Sequence, residues 1–120
     1  MSDPSALRTE IEKEIADNTI LVYGKGTKDA PRCGFTLETI QFFSQFGYPF
    51  EVVDVLENMP KREVLSSITN WPTLPKVFIA GKFYGDTDIL GPMEEQGELR
   101  TVLEEAFAGK PAPAPVIKLR

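Results

Sequence analysis

The order of apolar segments between residues 19 and 55 constrains the fold of this chain more than any other feature. Residues 19–23 (TILVY) are a short β-branched and apolar run typical of a buried strand, and residues 50–55 (FEVVDV) predict a second strand. Between them, apolar residues recur at helical spacing on one side and a glycine follows: Leu37, Ile40, Phe43, Phe46 and then Gly47. Strand, helix and strand within this length predict a parallel βαβ unit with a right-handed crossover.

The remaining patterned segments extend this unit into a mixed sheet. They are three helices and a hairpin, with helices over residues 4–18, 61–69 and 88–108 and antiparallel strands over residues 76–79 and 82–84. Asp3 and Pro4 are typical of a helix start, Ala80-Gly81 is a turn, and Gly97 breaks the last helical stretch. The order predicts an α/β protein with a four-stranded mixed sheet and helices on both faces.

The length of 120 residues suits one domain. Residues 110–120 differ from the rest because proline and alanine alternate there, which favours an extended, polyproline-type tail. We therefore predict one domain over residues 1–109 followed by a Pro/Ala-rich tail.

Charge and residue usage exclude several function classes. The net charge of −5 argues against nucleic-acid binding, which needs a basic face. One cysteine and no histidine exclude an intramolecular disulfide, Cys–His catalysis and zinc sites that depend on imidazole. The first residues lack a secretory pattern, and no apolar run approaches the ~20 residues that span a membrane. We expect a cytoplasmic protein that binds no membrane; an organellar matrix is the alternative if a presequence was removed.

The single cysteine, Cys33, lies where a polar loop meets a predicted helix. A thiol at a helix N-terminus is exposed to unpaired N–H groups, which stabilise its thiolate. Lys25, Lys28 and Arg32 add positive charge, and Gly34 leaves room for a second molecule beside the sulfur. These features predict a reactive thiol; the alternative is a small buried hydrophobic residue.

Four short motifs in order give a resemblance to a known family. They are Lys25-Gly26-Thr27, Pro31-Arg32-Cys33-Gly34-Phe35-Thr36, Trp71-Pro72-Thr73-Leu74-Pro75 and Gly85-Asp86-Thr87-Asp88-Ile89. From about residue 20 to residue 107 the chain resembles the monothiol glutaredoxins, whose active-site signature is Cys-Gly-Phe-Ser. The resemblance implies a thioredoxin-like fold for residues 1–109, which would be the glutaredoxin domain.

The resemblance also implies a role for each matching residue. Cys33 would bond glutathione or ligate iron, and Phe35 would line the same site. Lys25 and Arg62 would hold the glycine carboxylate of glutathione through charge-assisted hydrogen bonds. Leu74 would pair its backbone with the cysteine of the tripeptide, as an added strand does.

The same resemblance places the other end of the tripeptide at the last helical stretch. Pro75 would be cis beside the sulfur, and Thr87 and Asp88 would receive the γ-glutamyl end. Three positions depart from the family pattern: Thr36 and Thr87 replace residues that are usually smaller, and Asp86 replaces a glycine. Asp86 would either strengthen contact with the glutathione amine or crowd the site.

The ligand count favours an iron–sulfur carrier. A [2Fe–2S] cluster needs four ligands, and two chains with two glutathiones supply four through Cys33 and the glutathione thiols. We therefore predict a homodimer when cluster-bound and a monomer when apo. The resemblance adds BolA-type proteins and apo iron–sulfur proteins as partners.

Two other functions stay open. With no second cysteine, another thiol must resolve any Cys33–glutathione disulfide, so the chain is at most a weak glutathione-dependent thiol–disulfide oxidoreductase. The second alternative is a thioredoxin-like adaptor without catalysis.

Overall fold

The computed structural model describes residues 3–108, and its elements follow the predicted order. The helices are α1 (Pro4–Asp17), α2 (Gly34–Ser44), α3 (Met59–Thr69), α4 (Thr87–Glu95) and α5 (Glu98–Ala106). The strands are β1 (Ile20–Gly24), β2 (Glu51–Asp54), β3 (Lys76–Ile79) and β4 (Lys82–Gly85). The predicted tail, residues 110–120, lies outside the described residues.

The four strands form one mixed sheet in the order β2-β1-β3-β4. β1 runs parallel to β2, with Val22 opposite Val52, which confirms the predicted βαβ unit around α2. β1 runs antiparallel to β3, with Val22 opposite Val77, and β3 runs antiparallel to β4. The start of α2, which carries Cys33, therefore follows the carboxyl end of a central strand.

The sheet is covered on both faces because its strands alternate apolar side chains between two cores. One core joins the sheet to α2, α4 and α5, with Phe43, Leu90 and Leu103 buried among strand residues. The other joins the sheet to α1 and α3 through Ile11 and Leu65. The prediction of helices on both faces is confirmed.

The predicted apolar side of α2 is wrong at one position. Leu37 is 42% exposed, whereas Thr36, Thr39 and Phe43 form the buried side of the helix. Threonine is tolerated there because its hydroxyl finds a partner: Thr39 donates to the Phe35 carbonyl at 2.9 Å. Apolar spacing alone misplaced the buried side by about one residue.

A buried lysine ties α1 to α3 on the face away from α4. The Lys61 ammonium donates to Glu10 at 2.7 Å and to Glu14 at 2.8 Å. Burial lowers the pKa of Lys61, but the hydrogen bonds and charges of the two glutamates outweigh it and raise that pKa above its usual value. This ion-pair network belongs to the scaffold.

Local signals at the helix ends agree with the sequence. The Asp3 carboxylate accepts from the Ser5 N–H at 3.0 Å and caps α1, as predicted. Gly97 has a φ of +80° and separates α4 from α5. Across residues 3–108, none of the helices has the length and apolar character that a membrane crossing requires.

Candidate functional site

One cavity of about 460 Å³ collects every residue that the sequence predicted for the site. Its lining comprises Lys25, Cys33, Phe35, Arg62, Leu74, Pro75, Thr87 and Asp88, together with Pro72, Thr73 and Asp86. These residues come from loops at the ends of three strands and from the N-terminal turns of three helices, α2, α3 and α4. The fold therefore brings the four sequence motifs into one place.

Cys33 is the N-cap residue of α2 and is partly exposed. Its side chain completes no cap hydrogen bond, and the N–H groups of Gly34, Phe35 and Thr36 have no oxygen acceptor in the part of the chain that the structure describes. The pKa of Cys33 is lowered, against the opposing effect of burial. The largest cause is the Thr36 N–H, and further lowering comes from the Phe35 N–H, the Thr36 hydroxyl and the Lys25 charge.

The space beside the sulfur is open. A Cβ on Gly34 would meet no atom within 4 Å, and the neighbouring Phe35 ring is 68% exposed. The packing of this chain therefore requires neither a glycine at 34 nor an exposed ring at 35, and both leave a surface for a second molecule at the thiol.

The loop that carries Lys25 is fixed by its backbone. Gly26 has a φ of +93°, and a Cβ there would lie 2.5 Å from the Ala30 carbonyl oxygen, so only glycine fits. The Lys25 carbonyl accepts from the Arg32 N–H at 2.8 Å, and the Lys25 N–H donates to the Thr36 hydroxyl at 3.1 Å. The Thr36 hydroxyl, which stands where the Cys-Gly-Phe-Ser signature has the serine hydroxyl, thus contacts both the Lys25 loop and the Cys33 thiol.

Lys25 and Arg62 give one end of the cavity a positive charge. The Arg62 guanidinium donates to the Leu56 carbonyl at 3.0 Å, which anchors the side chain from α3 toward the cavity. Neither Lys25 nor Arg62 forms an ion pair with any carboxylate of residues 3–108. Both cations remain available to a bound anion.

The loop between α3 and β3 supplies a backbone edge. The Leu74–Pro75 peptide bond is cis, as predicted, and Pro75 is buried. Within residues 3–108 the Leu74 N–H and C=O have no hydrogen-bond partner, so they are free to pair with an extended peptide.

Lys76 supports this loop from beneath, a role that no sequence pattern indicates. The side chain is 1% exposed, and its ammonium donates to the Trp71 carbonyl and, at 3.0 Å, to the Thr73 carbonyl. Burial lowers the pKa of Lys76 to about 8. A lysine beginning a strand carries no sequence signal for such burial.

The start of α4 follows β4, which β3 separates from β1 and the Lys25 loop, so it forms the opposite end of the cavity. This end is acidic. The Asp86 carboxylate accepts from the Asp88 N–H at 2.9 Å and caps α4. The Thr87 hydroxyl donates to the Glu38 carboxylate of α2 at 2.7 Å. The backbone of Asp86 is extended (φ −142°, ψ −166°), so this position does not require the glycine usual in the family. No pattern in the sequence indicates that Glu38 reaches this end of the cavity.

Comparison with known proteins identifies the family. The glutaredoxin family model matches residues 20–84, which include the thiol, the cis-proline loop and the hairpin. The chain belongs to the glutaredoxin family. Its relatives place it among the monothiol members, which confirms the resemblance found in the motifs.

Two relatives and one solved structure illustrate the similarity. A ycf64-like monothiol glutaredoxin from Synechocystis sp. is 38% identical over 84% of this chain and 94% of its own length. Glutaredoxin 4 from Buchnera aphidicola is 42% identical over 81% of this chain and 91% of its own. The solution structure of reduced poplar apo GrxS14 superposes with a TM-score of 0.77 at 36% identity, covering 86% of this chain and 94% of that one. The predicted thioredoxin-like fold is confirmed.

Proposed function

We propose that this glutaredoxin binds glutathione in the cavity beside Cys33 and carries a [2Fe–2S] cluster as cargo between two copies of the chain. The observation that supports this most is the chain's only thiol, with a lowered pKa, beside a cavity that has one cationic end and an unpaired backbone edge. Each of these features matches a different part of the tripeptide.

The glycine carboxylate of glutathione fits the cationic end. Lys25 and Arg62 both line the cavity without a carboxylate partner, so an incoming anion gains charge-assisted hydrogen bonds without breaking existing ones. The central cysteine of the tripeptide then runs beside the free Leu74 N–H and C=O, which places its sulfur near Cys33.

The ligand count accounts for the second chain. A [2Fe–2S] cluster takes four ligands, usually thiolates. Among residues 3–108 no group of three or more His, Cys, Asp or Glu side chains is placed to hold a metal, and the sequence has one cysteine. Two Cys33 thiolates and two glutathione thiolates complete the set, and the cluster would leave by exchange of the glutathione ligands.

Anaerobic reconstitution with ferrous iron, sulfide and glutathione tests this function. The proposal predicts a visible chromophore in a dimer fraction on gel filtration. It also predicts that the chromophore disappears when glutathione is left out or in the Cys33→Ser variant. A colourless monomer with glutathione present, or a chromophore that forms without it, would contradict the proposal.

The lowered pKa of Cys33 favours a second candidate, removal of glutathione from protein mixed disulfides. The Cys33 thiolate would attack the glutathione sulfur, form a Cys33–glutathione disulfide and release the protein thiolate. A second glutathione thiolate would then attack this disulfide, releasing glutathione disulfide and the Cys33 thiolate. Rapid turnover of a glutathionylated peptide by a protein that stays colourless in the reconstitution would favour this candidate over the carrier.

A further inference from the structure

The N-terminus of α4 is already occupied by a carboxylate of this chain. Asp86 Oδ1 accepts from the Asp88 N–H at 2.9 Å, and the Asp86 carbonyl accepts from the Ile89 and Leu90 N–H groups at 3.0 Å. Helix N-termini bind anions through such N–H groups. Here the first turn offers an incoming anion only the Thr87 N–H.

The surroundings of this helix start are also acidic. Asp88 lines the cavity beside Asp86, and the Glu38 carboxylate accepts from the Thr87 hydroxyl at 2.7 Å. No lysine or arginine of residues 3–108 forms an ion pair with these three carboxylates. The cavity is therefore cationic at the Lys25 and Arg62 end and anionic at the Asp86 end.

A glutathione molecule must extend toward both ends. Its thiol belongs to the central residue, so with the glycine carboxylate at Lys25 and Arg62 the γ-glutamyl group lies at the start of α4. That group carries both an ammonium and an α-carboxylate. The ammonium suits Asp86 and Asp88. The α-carboxylate meets like charge there, and the Thr87 N–H is the one donor of the first turn that is left for it, because Asp86 occupies the others.

We propose that Asp86 is a specificity-determining residue that favours thiols whose γ-glutamyl end keeps the amine but lacks a free α-carboxylate. The inference rests on the proposed function, because it assumes that a glutathione-like thiol occupies the cavity. The ligand class is a peptide thiol with a carboxylate at its glycyl end and a cationic or amidated opposite end.

The test is a competition between two disulfides on the full chain. One is glutathione disulfide, and the other is the disulfide of γ-aminobutyryl-cysteinyl-glycine, which is glutathione without the α-carboxylate. The Cys33 thiolate attacks either disulfide, forms one mixed disulfide and releases one tripeptide thiolate, which takes up a proton. The two adducts differ by the mass of carbon dioxide, so intact mass spectrometry gives their ratio, with the urea-unfolded chain as reference.

Relative to the unfolded reference, the native chain is expected to favour the decarboxylated tripeptide, and Asp86→Gly is expected to shift the ratio toward glutathione by about fivefold or more. Asp3→Gly is the matched control. Asp3 caps α1 through the same type of bond, to the Ser5 N–H at 3.0 Å, but lies outside the cavity. This control is expected to leave the ratio unchanged.

Two outcomes would overturn the inference, and they differ in whether the proposed function also fails. If the native chain favours glutathione and Asp86→Gly leaves the ratio unchanged, Asp86 does not set specificity, while glutathione binding stands. If neither the native chain nor Asp86→Gly departs from the unfolded reference, the cavity does not recognise the tripeptide, and the proposed function fails with the inference.

Discussion

Two helix N-termini border the same cavity, and they differ in their caps: α2 has no side-chain cap, whereas α4 is capped by a carboxylate. The N-cap of α2 is Cys33, whose side chain makes no cap hydrogen bond, so the N–H groups of the first turn remain available to the thiolate. The N-cap of α4 is Asp86, whose carboxylate accepts from the Asp88 N–H and whose carbonyl accepts from the N–H groups of Ile89 and Leu90. The first end is next to Lys25, and the second is next to Glu38.

The difference shows that a helix dipole does not by itself determine a binding site. Both helices direct a positive end at the cavity. At α2 that end acts on Cys33 and lowers its pKa, whereas at α4 it is neutralised by a residue of the chain. The N-cap residue decides whether the donors stabilise a reactive group, bind a ligand or only stabilise the helix.

The largest expected effect comes from replacing Cys33 at the uncapped N-terminus of α2. Cys33→Ser removes the thiol and provides a hydroxyl that caps α2 well. The variant is expected to form no glutathione adduct and no chromophore, while its free energy of unfolding stays equal or rises by up to about 1 kcal/mol. Mass spectrometry and urea unfolding measure the two effects. A chromophore retained by this variant would show that the cluster site lies elsewhere.

The next largest effect is expected from removing the positive charge of Lys25 beside the N-terminus of α2. Lys25→Ala is expected to weaken glutathione binding by about 1–3 kcal/mol, because a charge-assisted hydrogen bond to the glycine carboxylate is lost. Chemical-shift titration with S-methylglutathione measures the affinity. Lys82→Ala is the control, since Lys82 is an exposed lysine of β4 outside the cavity. Equal affinities in the two variants would make Lys25 an ordinary loop lysine.

Removing the Asp86 carboxylate, which caps α4, tests how much this cap contributes to the free energy of unfolding. Asp86→Ala is expected to lower the free energy of unfolding by about 1 kcal/mol, as is Asp3→Ala, since each removes one N-cap hydrogen bond. Urea unfolding compares the two variants. If Asp86→Ala were neutral while Asp3→Ala was destabilising, the carboxylate of Asp86 would not be capping α4.

The smallest expected effect is a shift in the pH midpoint of Cys33 alkylation. The alkylation rate of Cys33 by iodoacetamide is expected to have its midpoint below the ~8.5 of an ordinary cysteine. Thr36→Val, which removes the hydroxyl that lowers the pKa of Cys33, is expected to move the midpoint slightly upward, and Thr36→Ser to leave it unchanged. A midpoint at or above the ordinary value in the native chain would contradict an activated thiol.

The same lowered pKa has a defined consequence for stability. Because ionisation of Cys33 is easier in the folded chain than in the unfolded one, it stabilises the fold above the unfolded pKa. That contribution is lost as the pH falls through the folded pKa, and it is absent from Cys33→Ser. The difference in unfolding free energy between the two proteins is therefore expected to change with pH in this window.

The sequence predicted the elements that depend on local pattern. The βαβ unit, the hairpin at Ala80-Gly81, the Asp3 cap and the break at Gly97 each have a signal within a few residues. The site residues came from the motif resemblance, and the fold brings them into one cavity. Their individual roles stay predictions that the variants above test.

The features that could not be predicted depend on contacts between distant segments. Lys76 is buried because the loop from Trp71 to Thr73 folds over it, and Glu38 reaches Thr87 only because α2 packs beside α4. Leu37 was expected to be buried with Phe43 but is exposed, because the hydroxyls of Thr36 and Thr39 find partners and these threonines pack inward. Spacing along one helix carries no information about such partners.

Native mass spectrometry of the anaerobically reconstituted protein tests the central claim most directly, because it counts every ligand in one species. The account predicts a coloured complex with the mass of two chains, two glutathiones, two irons and two sulfides. Omission of glutathione should leave only the mass of the single chain. A cluster-loaded species without glutathione, or a glutathione-containing sample that shows only the bare monomer, would contradict the account.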